Sequence, residues 1–276
     1  MREILKKIQA HIPFRLLTTE YLHTVIEEGI NPEISFNHFD LDNIKKSTAI
    51  EMAKQLSDAG ATITFHAPFM DLRPGAIDPK IRETTIDRLE QVFELAPYFH
   101  PSTIVCHPSF DEKYYVAGKQ LWLANSIETW GHFLKLAGEM GTTIALENVY
   151  ETEPELLNQL LSAFNSPHLR FCFDTGHFNV FSRTPLDMWM EKLAPYLGQL
   201  HIHDNSGAAD DHLPVGEGNF PFARFFAMLR ERNLSPVVTL EAHSEGDLRQ
   251  TVQNIKMMNL LSATCNNGNR ESELPG

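Results

Sequence analysis

The chain has 276 residues, 42% of them hydrophobic and 21% charged, which is enough apolar material for one large α/β domain or two ordinary ones. A formal net charge of -13, without a Lys/Arg cluster to form a local basic face, repels a phosphate backbone and ranks nucleic acid low as a partner. No apolar run reaches the length of a membrane span, and MREILKKIQAHIPF lacks the continuous apolar core of a signal peptide, so the expectation is a cytoplasmic protein with no membrane partner. The cysteines are Cys106, Cys172 and Cys265, a sparse and odd set that argues against a disulfide framework. Cys106 and Cys172 fall inside predicted strands and read as small buried hydrophobes.

In chain order, residues 2–9 predict a helix, 12–17 a strand and 19–28 a helix; 32–37 is the next strand, and the helix over 47–59 stops at Gly60. The β-branched run 61–65 leads into His66-Ala67-Pro68, after which Asp78 and Pro79 open a long helix as N-cap and first residue. A strand over 103–106 leads to His107-Pro108, and a helix over 121–139 ends before Gly141. The strand 142–146 precedes Glu147-Asn148, and Thr152-Glu153-Pro154-Glu155 reads as a capping box for a helix over 154–164. The strand 171–173 runs into Asp174-Thr175-Gly176-His177, where the chain turns; Thr184-Pro185-Leu186-Asp187 then caps another helix. The strand 197–202, the helix 220–232, the strand 236–240 and the helix 247–261 close the series, and the tail from Ser262 to Gly276 is polar, without periodicity, and expected to be disordered.

Strand and helix thus alternate about eight times, the signature of a single-domain (β/α)₈ TIM barrel over 1–261. An open doubly wound sheet is the rival, but no Gly-rich phosphate loop follows the first strand. The strand ends share one grammar: an apolar residue, then His66, His107, Glu147, Asp174, His201 or Glu241. Side chains alternate along a strand, so if the apolar residue faces the helices its neighbour faces the barrel axis. Two positions earlier on that inner face stand Thr64, Val105, Ala145, Cys172, Gln199 and Thr239, suited to a filled layer beneath a site.

The six donors then form a ring at the carboxyl end of the barrel, where barrel enzymes place their chemistry. Clustered carboxylates repel one another, so a cation is their natural partner; imidazole with carboxylate suits Zn²⁺ or Mn²⁺, with Mg²⁺, Co²⁺ and Fe²⁺ as further candidates. In the loop after the seventh strand, Asp210 and His212 either reach back over the mouth or solvate it, and His203 is placed for substrate contact. His11, His23, His38, His100, His132, His168 and His243 have no such context and read as structural or surface residues.

HAPF (66–69), HPS (107–109), LEN (146–148), FDTGH (173–177), HIHDN (201–205), DDHLPVGEG (210–218) and TLEA (239–242) resemble the xylose isomerase-like TIM-barrel superfamily, which holds sugar isomerases and epimerases, inosose-processing enzymes and family 2 AP endonucleases. In its isomerase and epimerase branch, the resemblance implies one divalent metal held by Glu147, Asp174, His201 and Glu241. Glu147 and Glu241 would double as the acid/base pair, acting through an enediolate stabilised by the metal. His66, His107 and His177 would lie beside a small polyhydroxylated carbonyl substrate, together with Asn148 and His203. In the AP endonuclease branch, His66, His107, His177, Asp210 and His212 would join the others in a three-zinc cluster. The run Asn148-Val149-Tyr150 after Glu147 departs from that branch, and the βα loops offer few basic residues for DNA. An inosose-type dehydratase is a third reading.

DLRPG (71–75) resembles the isomerase-like members, with Arg73 placed to hold a phosphate or carboxylate or else to form a surface salt bridge. Tyr114, Tyr115 and Trp122 either wall the pocket or pack in the core. Members of the isomerase branch often carry a Glu at the end of strand two, where this chain offers Ser35, Asn37 and His38. A homo-oligomer is left open.

Overall fold

Eight short strands pair in sequence order and close on themselves: β1 (Gln9–Pro13), β2 (Asn31–Ser35), β3 (Thr64–His66), β4 (Thr103–Cys106), β5 (Thr143–Glu147), β6 (Leu169–Asp174), β7 (Leu197–Ile202) and β8 (Val237–Leu240). All pairs are parallel, and Gln9 and Ala10 of β1 meet Thr239 and Leu240 of β8 to seal the cylinder. The structure is a computed structural model that describes residues 2–164 and 166–261; the tail expected to be disordered lies outside the described residues. Its architecture is the single-domain (β/α)₈ barrel expected from the sequence.

The strands are apolar on their outward face. Ile34, Phe65, Ile104, Leu146, Phe173, Leu200 and Leu240 are buried against the surrounding helices, together with Trp130, Phe133, Leu157, Trp189, Phe225 and Phe226. Each such large side chain contributes about 1.5–3 kcal/mol when removed from water, so the layer between sheet and helices holds the fold together. Helix boundaries follow local chemistry. The Asp78 carboxylate accepts the Lys80 N–H at 2.9 Å, with Pro79 at the first position of Pro79–Phe99. Lys119–Met140 ends at Gly141, whose φ of 68° is the left-handed cap a glycine adopts without strain.

Several local expectations need correction. β1 begins three residues before the predicted strand, because Leu16 and Leu17 belong to a helical run: Phe14–Leu16, a π-turn over Leu17–Tyr21, then Leu22–Glu28. A short apolar run is equally compatible with strand and buried helix. The N-terminal helix is only Arg2–Leu5, since the chain must already extend by Gln9. The capping box at Thr152 does not form: its hydroxyl donates to Glu112 at 3.1 Å, and Glu155–Ser162 starts after Pro154 without a side-chain cap. The turn after β6 is a helix, Thr175–Phe181. Among the described residues, no helix is long and apolar enough to cross a membrane.

Candidate metal centre

The alternation of β-strands places the donors. His66, Glu147 and Asp174 are the last residues of β3, β5 and β6, His107 and Glu241 follow β4 and β8 directly, and His201 lies within β7. Two positions earlier, Thr64, Val105, Ala145, Cys172, Gln199 and Thr239 are fully buried, the layer that the sequence pattern implied.

The donors converge. Glu147 lies at the centre: Oε2 is 3.4 Å from both His66 Nε2 and His107 Nε2 and 3.1 Å from His201 Nδ1, while Oε1 is 3.0 Å from His177 Nδ1. Glu241 Oε1 approaches the same His201 Nδ1 at 3.0 Å. His66 Nδ1 sits 2.8 Å from the carbonyl of Ala67; a carbonyl only accepts, so Nδ1 carries the proton and Nε2 turns its lone pair toward Glu147. Asp174 caps its own helix by accepting the His177 N–H at 2.6 Å, and both of its oxygens lie 3.1 Å from His203 Nε2. Gly176 is required for that seat, since a Cβ there would stand 1.9 Å from His203 Cε1.

Asp210 and His212 do reach back over the mouth. Asp210 Oδ2 is 3.3 Å from His177 Nε2 and 3.2 Å from His212 Nε2, and the rings of His203 and His212 stack at 3.8 Å. Asn148 turns away from the cavity to clamp the backbone of Asp174, donating to its carbonyl at 3.0 Å and accepting its N–H at 2.9 Å. Arg73 lies over the ring of Tyr114 at 4.2 Å, Tyr115 and Trp122 are buried in the core, and Tyr114 is exposed. An apolar cavity of about 370 Å³ lies between β1, β8 and the helices Leu22–Glu28 and Glu245–Met257, but none of the donors named from the sequence lines it. The donors fill the barrel axis instead.

Charge in this buried space is strongly perturbed. Burial opposes ionisation of Glu147 and Glu241, but the neighbouring histidines, His201 foremost, outweigh it and hold both carboxyls well below their ordinary range. Burial likewise opposes protonation of His201 and His177, yet the surrounding carboxylates raise both well above the ordinary imidazole value. His212 rises to about 9, burial being outweighed by Asp210 and Glu241. His107 goes the other way, lowered by burial.

Two residues of this site were not identified from the sequence. Glu33, in the middle of β2, is fully buried; its Oε2 accepts from Thr64 at 2.9 Å, from Thr239 at 3.0 Å and from Gln199, and Oε1 lies 2.9 Å from His201 Nε2. Strand two therefore does supply a carboxylate, two residues before Ser35. Burial opposes its ionisation, and the charge and hydrogen bonding of His201 still leave its carboxyl below the ordinary range. His11, read as structural or surface, lies on β1 with its ring 5.6 Å from that of His66. The signal for both was parity: β2 pairs Glu33 with Thr64 and Ser35 with His66, one row below and one row at the donors. His243 also joins the rim, stacked on His212 at 4.3 Å.

The residues fit a divalent cation. Both oxygens of Glu147 and both ring nitrogens of His201 are buried without a well-directed hydrogen bond, although their contacts are short. Such groups stranded in a dry interior are costly unless a cation meets them. Donor atoms gather within 4.8 Å of one another in several sets: His66, His107 and Glu147; His66, His201 and Glu241; Asp174, His177 and His203; His203, His212 and Glu241.

Residues 28–261 match the model of the xylose isomerase-like TIM barrel family. The chain belongs to that family. An uncharacterized protein of Methanocaldococcus jannaschii is 30% identical over 188 residues, 65% of this chain and 64% of the relative, so the chain spans somewhat under two thirds of that relative's length. A second uncharacterized protein of the same organism is 27% identical over 217 residues, 78% of this chain and 83% of the relative. Among solved structures, a family barrel from Thermus thermophilus, from crystals soaked with zinc chloride, superposes with a TM-score of 0.76 at 25% identity, covering 91% of this chain and 97% of that one. A D-tagatose 3-epimerase-like protein gives 0.77 at 23% identity over 92% of this chain and 97% of its own, a likeness of fold.

Proposed function

We propose that the protein is a divalent-metal-dependent isomerase or epimerase of a small sugar, sugar phosphate or related polyhydroxy carbonyl compound. One observation carries the reading: Glu147 and Glu241, both buried and both held ionised, bring a carboxylate oxygen to within 3.1 Å and 3.0 Å of the same nitrogen of His201. Two carboxylates thus face one small space. Glu147, Asp174, His201 and Glu241 would hold the cation, and a bound divalent ion supplies the positive charge that polarises a carbonyl and its neighbouring hydroxyl.

Within that space one glutamate takes the proton from the carbon beside the carbonyl and the other returns a proton at a new face or a new carbon. Glu147 has the imidazoles of His66, His107 and His177 within 3.4 Å, so a proton it accepts can be shared along them and substrate hydroxyls find donors there. Burial of the whole group excludes water, which protects the carbanion-like state from side reactions. Several solved barrels of similar fold carry sugar 3-epimerase titles, among them proteins described with D-tagatose and as an L-ribulose 3-epimerase, in keeping with this substrate class.

The test is exchange: the metal-loaded protein is incubated with a panel of ketoses and ketose phosphates in D₂O, and deuterium incorporation beside the carbonyl is followed by NMR. Incorporation with at least one sugar, lost in Glu241→Gln, supports the reading; none across the panel counts against it.

A second reading is an AP endonuclease-type phosphodiesterase with a multinuclear zinc site. It is favoured by the separate donor sets around Glu147 and around His177 and His212, more donors than one ion needs. Nicking of an abasic oligonucleotide, abolished by EDTA, would put it first.

A further inference from the structure

We propose that Glu33 is the positioning residue for His201: from beneath, it fixes the imidazole with Nε2 protonated and Nδ1 free to hold the cation. The proposal rests on the metal-binding part of the reading above and is independent of which reaction follows.

The geometry leaves Glu33 little freedom. Its side chain is 0% exposed, and one carboxylate oxygen, Oε2, is engaged by three side chains from three other strands: Thr64 of β3 at 2.9 Å, Thr239 of β8 at 3.0 Å, and Gln199 of β7. Gln199 Nε2 also donates to the Thr239 hydroxyl at 3.0 Å, which ties the network to itself. With Oε2 saturated, Oε1 is left facing upward, and the group it faces is His201 Nε2 at 2.9 Å. A carboxylate only accepts, so the nitrogen beside it keeps the proton. The opposite nitrogen, Nδ1, then presents its lone pair into the space shared by Glu147 and Glu241, 3.1 Å and 3.0 Å away.

A fully buried carboxylate is too costly to serve as filling. On the other side of the barrel, the equivalent layer is made by Val105, Ala145 and Cys172, which pack on one another without a charge. The barrel does not need a carboxylate to be filled; it places one directly under the imidazole at the centre of the donor ring. A carboxylate bonded to a ligating imidazole sets its tautomer and orientation and raises its basicity, and loss of such a partner typically weakens metal binding 10–100-fold.

The experiment has two arms on the full chain. In the first, zinc affinity of wild type and Glu33→Gln is measured by competition with a chromophoric chelator, alongside the melting temperature of each metal-free protein. The expected result is binding about 10–100-fold weaker in the variant, with a metal-free melting temperature equal to wild type or higher, because a buried charge has been removed. In the second, histidine-selective ¹⁵N NMR of the zinc-loaded wild type reads the tautomer of His201, which does not depend on any variant folding. The expected result is a protonated Nε2 and a ligated Nδ1. Zinc affinity of Glu33→Gln within about threefold of wild type, or a His201 ligated through Nε2, overturns the role of Glu33. A wild type that holds no zinc instead sinks the metal reading itself, so the two failures are told apart.

Discussion

Beneath the donors the barrel interior has two unlike sides. Under His107, Glu147 and Asp174 the layer is Val105, Ala145 and Cys172, dry and uncharged. Under His66, His201 and Glu241 it is Thr64, Gln199 and Thr239, gathered around the carboxylate of Glu33. The two sides treat their donors differently. The polar side holds His201 from below and turns one nitrogen upward. The dry side offers Glu147 no hydrogen bond, so both of its oxygens are left to the space above. One side orients and the other leaves its donor unmet, and a cation satisfies both.

The difference can be broken from either side. The largest effect is expected where the sides meet: Glu241→Gln or Glu147→Gln should lower turnover by roughly 10²–10⁴-fold, the usual worth of a positioned proton-transfer group, with the circular dichroism spectrum unchanged; a fully active variant would refute the assigned pair. Removing the metal with EDTA should abolish turnover and lower the melting temperature. Its restoration at a metal concentration near 100 times the dissociation constant should return about 2.7 kcal/mol of stability. A melting curve indifferent to EDTA would argue that no ion sits between the two sides.

Filling the dry side is the next test. Ala145→Leu has no free volume to enter and should cost about 1–3 kcal/mol in urea unfolding; a neutral result would mean that the layer below Glu147 is looser than its burial indicates. The smallest effect concerns pH in the metal-free protein. His212, raised from 6.5 to about 9 by Asp210 and Glu241 against burial, binds its proton more tightly when folded. Its stabilising share is fully present below pH 6.5 and is lost as pH rises through about 9. Urea midpoints of metal-free protein should therefore fall over that window, and less so in His212→Gln; identical slopes would contradict the coupling to Asp210.

Much of the site was legible because strand alternation and strand ends are both written in residue order. The step from Phe65 to His66 or from Leu146 to Glu147 places a donor on the axis once a barrel is inferred, and the structure gathers all six expected donors there. Glu33 was hidden because it lies within a strand, between Pro32 and Ile34, and not at its end. His11 was hidden because β1 was placed too late, and the shift carried it off the strand on paper. The clamp from Asn148 to Asp174 and the stack of His203, His212 and His243 join residues 26 or more apart, and no local pattern encodes such contacts. The capping box at Thr152 failed for a related reason: a tertiary partner, Glu112, took its hydroxyl.

The central claim is that this buried ring holds a divalent cation, and metal content tests it most directly. After incubation with zinc or manganese and exhaustive desalting, the protein should retain about one ion per chain, and lose it in Glu147→Gln. About three ions per chain would keep the centre but favour the phosphodiesterase; none would contradict the account.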